Sequence, residues 1–164
     1  MLKDLIQQDF KEAFKNQEKV KLSVLRMLRA ELVKKQQDKR FQLKKDYPEL
    51  EGEELNNKSI LTEDEILGII ISRVKKSKES VSDFEKGGRN DLVEREKEEI
   101  KILEKYLPEQ LSEEDVRKIV EGVVSKVGAE SMKDIGRVMS ELMPKVKGKT
   151  DGDLVLKIVR NILS

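Results

Sequence analysis

Aliphatic residues recur at helical spacing along almost the whole chain, and this pattern constrains the fold more than any other feature. In the segment that opens at Thr62, apolar side chains return every three or four residues, from Ile66 to Val74 and beyond. Such spacing places them on one face of an α-helix, whereas a half-buried β-strand needs an alternation with a period of two. No stretch shows a convincing strand pattern, so we predict an all-α protein.

Helix start and stop signals divide the chain into seven predicted helices. The clearest start signals are Thr62-Glu-Asp-Glu65, a capping box, and the similar run Ser112-Glu-Glu-Asp115. Glycine and proline residues supply the stop signals. The predicted helices run from Leu2 to about Asn16, from Lys19 past Phe41, from Thr62 to Gly87, from about Asn90 to Pro108, from Ser112 to Gly128, from Ser131 to Pro144, and from Thr150 or Asp151 to Leu163.

The fourth predicted helix closes at Pro108 and separates four helices from three. We therefore predict two helical bundles, a four-helix N-terminal domain over residues 1–107 and a three-helix C-terminal domain over 108–164. The polar segment from Tyr47 to Ser59 carries turn-forming residues and is predicted to be a mobile loop.

Charge is distributed unevenly over the first half of the chain. Residues 19–45 contain 10 basic and 2 acidic residues, whereas residues 46–65 contain 8 acidic residues and 1 lysine. One interpretation is that the acidic stretch pairs with the basic helix. The other is that the basic helix faces nucleic acid.

The composition excludes several kinds of site. The chain has no cysteine and no histidine, which excludes a disulfide, a cysteine nucleophile and a histidine general base. We expect no catalytic residue, no metal and no cofactor. Apolar runs such as Ile69–Ile71 are far too short for a membrane span, and the N-terminus lacks the apolar core of a signal peptide. A cytoplasmic protein is the expectation that follows.

The segment between the last two predicted helices combines three lysines within five residues with Gly148 and Gly152. Ammonium groups and uncovered backbone amides suit phosphate oxygens, and the N-terminus of the last helix adds partial positive charge. The alternative is an ordinary solvated loop between helices. A lysine and an arginine near the start of the preceding helix would extend a phosphate-binding patch. The candidate RNA-binding residues are Lys133, Arg137, Lys145, Lys147 and Lys149.

Other features receive structural interpretations. Gly136 lies inside a predicted helix, where glycine costs about 1 kcal/mol relative to alanine, so we predict a close helix crossing there, with an approaching ligand backbone as the alternative. Met132, Met139 and Met143 recur at helical spacing and are expected to fill the core. The acidic residues between Glu94 and Glu99 alternate with basic ones and indicate a solvated face.

Three segments carry a resemblance to a known family. They are Leu22–Ala30, with the sequence LSVLRMLRA, Leu103–Glu114, with LEKYLPEQLSEE, and Met132–Met139 followed by Pro144–Gly152. In order and spacing these segments resemble the YqeY family, small bacterial proteins of the GatB/YqeY type. The resemblance covers nearly the whole chain. The exception is the stretch from about Phe41 to Lys58, which is longer and more acidic than the family leads us to expect.

The final segment is also similar to the tail of the B subunit of the glutamine-dependent aspartyl/glutamyl-tRNA amidotransferase. The resemblance implies an all-helical protein with a larger N-terminal and a smaller C-terminal bundle, and a tRNA-contacting role for the latter. The family is labelled with carbon–nitrogen ligase activity that uses glutamine as amide donor, but nothing in this chain resembles the catalytic parts of that enzyme.

Three functions remain under consideration. The first is a non-catalytic tRNA-binding accessory module. The second is a protein–protein adaptor that docks onto an aminoacyl-tRNA synthetase or an amidotransferase complex. The third, an amidotransferase-type enzyme, is weakened and not excluded by the absence of cysteine and histidine, because some amidases use serine and lysine. The chain has both residues, but no Ser–Ser–Lys arrangement in a Gly/Ser-rich setting that would support that chemistry.

Overall fold

A computed structural model of the chain describes residues 1–164 and contains helices without strands, which confirms the all-α prediction. The chain divides into two compact units, Met1–Tyr106 and Leu107–Ser164. The eight α-helices are α1 (Leu2–Lys15), α2 (Lys19–Asp46), α3 (Gly52–Lys58), α4 (Glu63–Lys86), α5 (Asn90–Glu104), α6 (Glu113–Val127), α7 (Ile135–Val146) and α8 (Gly152–Leu163), and a 3₁₀ turn, Met132–Asp134, precedes α7.

The N-terminal unit is organised around α2, which contacts each of the other four helices of the unit. The connections from α1 to α2 and from α4 to α5 are three residues long, and each joins two helices that pack against each other. The apolar faces of these helices meet in an aliphatic core. Its most completely buried side chains are Ile6, Leu25, Leu28, Ile66, Ile70 and Leu103.

The cap residues that the sequence indicates form as predicted. The backbone amide of Glu65 donates to the Thr62 hydroxyl at 3.2 Å, and the Thr62 amide donates to the Glu65 carboxylate at 2.7 Å. Both halves of this capping box are therefore present, and two backbone donors at the start of α4 are satisfied. At α6 the Asp115 amide donates to the Ser112 hydroxyl at 3.1 Å, and Gly128 ends the helix with a φ of 60°.

The segment from Tyr47 to Ser59, predicted to be a mobile loop, contains the helix α3. Two leucines explain the order, because Leu50 and Leu55 are both buried in the N-terminal unit. The ammonium group of Lys44 also binds the segment, donating to the carbonyl oxygens of Pro48 at 2.6 Å and Leu50 at 3.1 Å. The loop prediction was wrong because two buried leucines within a polar stretch give no periodic signal.

The C-terminal unit is a three-helix bundle formed by α6, α7 and α8. Its core contains aliphatic side chains only and draws on all three helices. The buried members are Val116, Val120, Val123, Val138, Leu142, Val146, Val155, Ile158, Val159 and Leu163.

The start of α7 was predicted in the right place but not in its details, and its end was wrong. The chain becomes helical directly after Ser131, but as a 3₁₀ turn that precedes α7, and the Ser131 side chain makes no cap bond. Pro144, expected to stop α7, lies within the helix, which continues to Val146. The reason is packing, since the Val146 side chain is buried in the bundle core and holds the last turn in place against the cost of the proline. None of the eight helices combines the length and the apolar character that a membrane span requires.

Candidate nucleic-acid interface

The loop between α7 and α8, Lys147–Asp151, is fixed by hydrogen bonds from the segment before α6. The side-chain amide of Gln110 donates to the carbonyl oxygen of Gly148 at 2.6 Å, and the amide of Leu111 donates to that of Lys149 at 2.7 Å. The Lys149 amide also donates to the Val146 carbonyl at 3.0 Å. Gly148 is buried and has a φ of 74°, a conformation that residues with a side chain rarely adopt. The α7–α8 loop therefore has one defined shape.

The three lysines of this region differ in exposure. Lys145 is exposed on the last turn of α7, and Lys149 is exposed within the α7–α8 loop. Lys147, which directly follows α7, is half-buried. The region thus directs two ammonium groups into solvent and keeps a third partly covered.

The N-terminus of α8 is occupied by carboxylates of the chain itself. The Asp151 side chain accepts a hydrogen bond from the Asp153 amide at 2.8 Å and caps the helix, which is one of the two caps that the sequence predicts. Asp153 adds a second carboxylate in the first turn. The carboxylates of Asp151 and Asp153 already interact favourably with the helix dipole, as an external anion would in their absence. Any phosphate contact at this end of the unit therefore depends on the lysines.

Lys133 and Arg137 lie at the other end of α7 from the α7–α8 loop. Lys133 is exposed on the 3₁₀ turn, and Arg137 is on the first turn of the helix. Because α7 has 12 residues, about 18 Å separates its two ends. The Arg137 guanidinium also donates to the Val127 carbonyl at the end of α6 and lies 3.5 Å from an Asp134 carboxylate oxygen. The structure does not bring these two residues together with the loop lysines.

A carboxylate interrupts the strip of positive charge along α7. Glu141 lies one helical turn from both Arg137 and Lys145 and forms a 2.7 Å ion pair with Lys126 of α6. The hydrogen bond from Lys126 lowers the pKa of Glu141, and Lys145 lowers it further by a weaker Coulombic attraction. Glu141 therefore stays ionised at neutral pH and divides the basic residues into two groups.

The basic helix α2 pairs with the acidic segment that follows it. Lys39 binds a Glu65 carboxylate oxygen at 2.7 Å and the Ile60 carbonyl at 2.9 Å. Lys44 lies 3.0 Å from a Glu51 carboxylate oxygen. These contacts support the first interpretation of the charge asymmetry. Other basic residues of α2 are exposed, among them Arg26, Lys34, Lys35 and Lys45.

The expectation of a solvated acidic face was wrong for Glu99. Its side chain is only 5% exposed and lies 3.5 Å from the Arg73 guanidinium. A second nitrogen of Arg73 binds Glu31 at 2.7 Å, so a single arginine of α4 links carboxylates from α2 and α5. The carboxylates of Glu31 and Glu99 both pair with Arg73, so we interpret this cluster as a structural ion-pair bridge between helices and not as a catalytic pair of carboxylates.

Two interpretations of C-terminal residues were also wrong. Met132 is 42% exposed and Met143 is 37% exposed, so neither fills the core, whereas Met139 does pack against it. Gly136 is exposed, and a Cβ built on it would meet nothing within 4 Å. No helix of the chain crosses closely at Gly136, and its surface is open to a partner.

Sequence reasoning missed the residues that hold the α7–α8 loop. Gln110 is 38 residues from Gly148, and no local pattern links a glutamine before one helix to a glycine after another. Proximity in the bundle creates the contact. No group of three or more acidic side chains is placed to hold a metal ion.

Comparison with known proteins adds the context for this site. The family model described as "Yqey-like protein" matches residues 47–163. The match begins one residue after α2 ends, contains α3 to α8, and includes most of the acidic stretch that looked atypical in sequence.

Two fungal proteins are similar to this chain. One is the "Altered inheritance of mitochondria protein 41, mitochondrial" of Pyrenophora tritici-repentis (strain Pt-1C-BFP), which is 24% identical over 161 residues, covering 96% of this chain and 78% of that protein. The other is an uncharacterised protein of Schizosaccharomyces pombe (strain 972 / ATCC 24843). It is 32% identical over 78 residues, and the match covers 48% of this chain and 63% of that protein.

Proposed function

The chain belongs to the Yqey-like protein family, and on that premise we propose that it is a non-catalytic accessory module that binds tRNA. The observation that carries the proposal is the α7–α8 loop. Gln110 and Leu111 hold its backbone in one conformation, while Lys145 and Lys149 extend into solvent. A backbone that is already ordered loses little conformational entropy when Lys149 of the loop and Lys145 at the end of α7 bind phosphate.

The kind of nucleic acid follows from what the chain has and lacks. Lysine ammonium groups contact phosphate oxygens without reading the base sequence. The chain has 4 phenylalanines, 2 tyrosines and no tryptophan, too few for successive bases of a single strand to stack on. Recognition of a folded backbone, as in the corner of a tRNA, suits this composition better.

We propose that the two units act as two domains, residues 1–107 and 108–164, with RNA bound by the second. Within that domain the site centres on Lys145 and Lys149, with Lys147 contributing less because it is half-buried. Lys133 and Arg137 form a separate minor contact at the other end of α7. A cytoplasmic location stays a prediction, since one of the two similar proteins carries a mitochondrial name.

The proposal includes no chemistry by the chain itself. Amide hydrolysis needs an activated nucleophile, and this chain has no cysteine and no histidine. Some amidases use serine and lysine instead, and the chain has no Ser–Ser–Lys arrangement in a Gly/Ser-rich setting. We expect the purified chain to leave glutamine intact and to transfer no amide group to misacylated tRNA. Sustained turnover by the isolated chain would contradict this part of the proposal.

The test of RNA binding uses the full chain and fluorescently labelled tRNA. The chain should bind tRNA at low salt more tightly than it binds a DNA hairpin with the same number of phosphates. Replacing Lys145, Lys147 and Lys149 by alanine should weaken tRNA binding. The matched control, Lys78→Ala/Lys97→Ala/Lys118→Ala, removes the same net charge from exposed lysines that pair with glutamates and should bind as the wild type does. Absence of tRNA binding at low salt would refute the proposal.

An adaptor that docks onto an aminoacyl-tRNA synthetase or amidotransferase complex is the second candidate function. The specific observation in its favour is the exposure of Met132 and Met143 in the C-terminal unit. Exposed methionines adapt to varied partner surfaces. If the adaptor function is correct, Met132→Ser/Met143→Ser should no longer bind a purified synthetase or amidotransferase partner that the wild type binds. The lysine triple variant should keep the wild-type affinity for RNA.

A further inference from the structure

Two surface cavities lie along α2, one beside α1 and the start of α4 and the other beside α3. The first, about 140 Å³, has a floor that includes the buried side chains Ile6, Leu32 and Ile66, with Lys3 and Arg29 among its other lining residues. It is several times larger than a water molecule. The second, about 320 Å³, is lined by Gln37, Arg40, Phe41, Lys44 and Leu55.

The two cavities repeat along α2 with a spacing of eight residues. Val33 lines the first and Phe41 the second, and the same step relates Arg29 to Gln37. Eight residues correspond to a rise of about 12 Å and a rotation of about 80° around the helix axis. Because the rotation adds to the rise, the two positions lie about 14 Å apart on the surface of α2, and a partner helix that crosses α2 obliquely reaches both with side chains about seven to eleven residues apart.

Each cavity has an exposed apolar residue at its edge. Val33 is 57% exposed and Phe41 is 74% exposed, although each lies on the longest helix of the chain. No other element of the protein covers either side chain. Their apolar surface is therefore removed from water only if a partner binds.

The charged residues that line the two cavities are all basic. They are Lys3 and Arg29 at the first and Arg40 and Lys44 at the second. Arg29 lies 4.2 Å from the centre of the Phe10 ring, and Lys44 already pairs with Glu51. Lys3, Arg29 and Arg40 therefore supply most of the positive potential around the apolar cavities.

We propose that this face of α2 docks an acidic amphipathic helix of a partner protein. Two apolar side chains of that helix would fill the cavities beside Val33 and Phe41, and its flanking carboxylates would meet Lys3, Arg29 and Arg40. The aliphatic side chains Ile6, Leu32 and Ile66 at the floor of the first cavity suit an apolar side chain, which an RNA does not offer. The geometry thus favours a protein helix over a nucleic acid on this face, independently of the loop between α7 and α8.

The experiment uses the full chain and a designed 20-residue helical peptide as probe. The peptide carries leucines seven residues apart on one face and glutamates on the flanks, and binding is measured by calorimetry and by NMR shifts. Val33→Ser/Phe41→Ser should weaken binding by more than about tenfold, as expected when central apolar anchors are lost. Phe14→Ser removes an exposed aromatic side chain that lines neither cavity and should leave the affinity unchanged.

Binding with shifts centred on Val33 and Phe41 supports the proposal, as does loss of binding when lysines replace the peptide's glutamates. Equal affinity of wild type and Val33→Ser/Phe41→Ser overturns it. Failure of the wild type to bind the peptide also overturns it. So does displacement of the peptide by tRNA with shifts on this face, which would identify a nucleic-acid surface. A wild-type dimer that the same substitutions dissociate would identify a second copy as the occupant and likewise overturn the proposal.

Discussion

The side chain of Gln110 donates a 2.6 Å hydrogen bond to the carbonyl oxygen of Gly148, which is buried in the C-terminal bundle. This contact joins the segment before α6 to the loop after α7. It gives a stretch of lysines and glycine, which would be flexible in isolation, a single conformation. The proposed RNA-binding role depends on that order.

Removal of the Gln110 side chain tests how the loop is held. Gln110→Ala leaves the Gly148 carbonyl without its side-chain donor and should lower the free energy of unfolding by about 1–2 kcal/mol. Urea unfolding measures this loss. Gln8→Ala is the matched control because Gln8 makes an exposed contact with Glu12 on the surface of α1, and it should change stability by less than about 0.5 kcal/mol. Equal stability of the two variants would mean that the bond does not hold the loop.

Two glycines of the C-terminal unit should respond to alanine in opposite directions. Gly148 has a φ of 74°, which alanine adopts only with strain, so Gly148→Ala should destabilise the fold by about 1–2 kcal/mol. Gly136 lies in α7 with open space around it, so Gly136→Ala should stabilise by about 0.5–1 kcal/mol through helix propensity. Thermal melting of both variants gives the signs, and the same sign for both would be inconsistent with this loop geometry.

Replacing Arg73 alone should destabilise the fold far more than replacing Arg73 and Glu99 together. Arg73→Met leaves the buried Glu99 carboxylate with only Arg95, whose guanidinium lies 3.8 Å away, and should cost about 3 kcal/mol. Arg73→Met/Glu99→Met replaces both charges by apolar groups and should recover most of that loss. Chemical denaturation of the wild type, of each single variant and of the double variant gives the free energies of unfolding for a double-mutant cycle. A double variant as unstable as Arg73→Met would argue against a buried charge as the cause.

Stability should fall in acid through the Lys39–Glu65 pair. The hydrogen bond from Lys39, with help from the Thr62 amide, lowers the pKa of Glu65 below its ordinary value of 4.5. A carboxyl group whose pKa is lower in the folded state stabilises the fold above its unfolded pKa, and this contribution disappears as the pH falls through the folded value. Denaturation between pH 7 and pH 3 should therefore show a flatter profile for Glu65→Gln than for wild type. Glu53→Gln, an exposed change in α3, should follow the wild-type profile.

The helices could be predicted from sequence where caps and periodic apolar faces coincide. Thr62 and Ser112 start helices as expected, because capping is a local interaction between neighbouring residues. The α3 helix could not be predicted, since it depends on burial of Leu50 and Leu55 by distant elements. The prediction of where α7 ends failed for the same reason, because the packing of Val146 outweighs the local effect of Pro144.

The candidate site was predictable in residue types and not in geometry. A cluster of lysines is visible in the sequence, but whether each side chain is exposed depends on the bundle. Only the structure separates the exposed Lys145 and Lys149 from the half-buried Lys147. Only the structure shows that Arg137, at the end of α7 away from the loop, donates to the Val127 carbonyl of α6.

The salt dependence of tRNA binding tests the central proposal most directly. If Lys145 and Lys149 each contact a phosphate, Lys145→Ala/Lys149→Ala should reduce the slope of log affinity against log salt by about 1.5–2 units. The control Lys78→Ala/Lys118→Ala, which removes the same charge elsewhere, should keep the wild-type slope. A loop variant that binds tRNA with the wild-type affinity and the wild-type slope would contradict the assignment of the α7–α8 loop as the RNA-binding site.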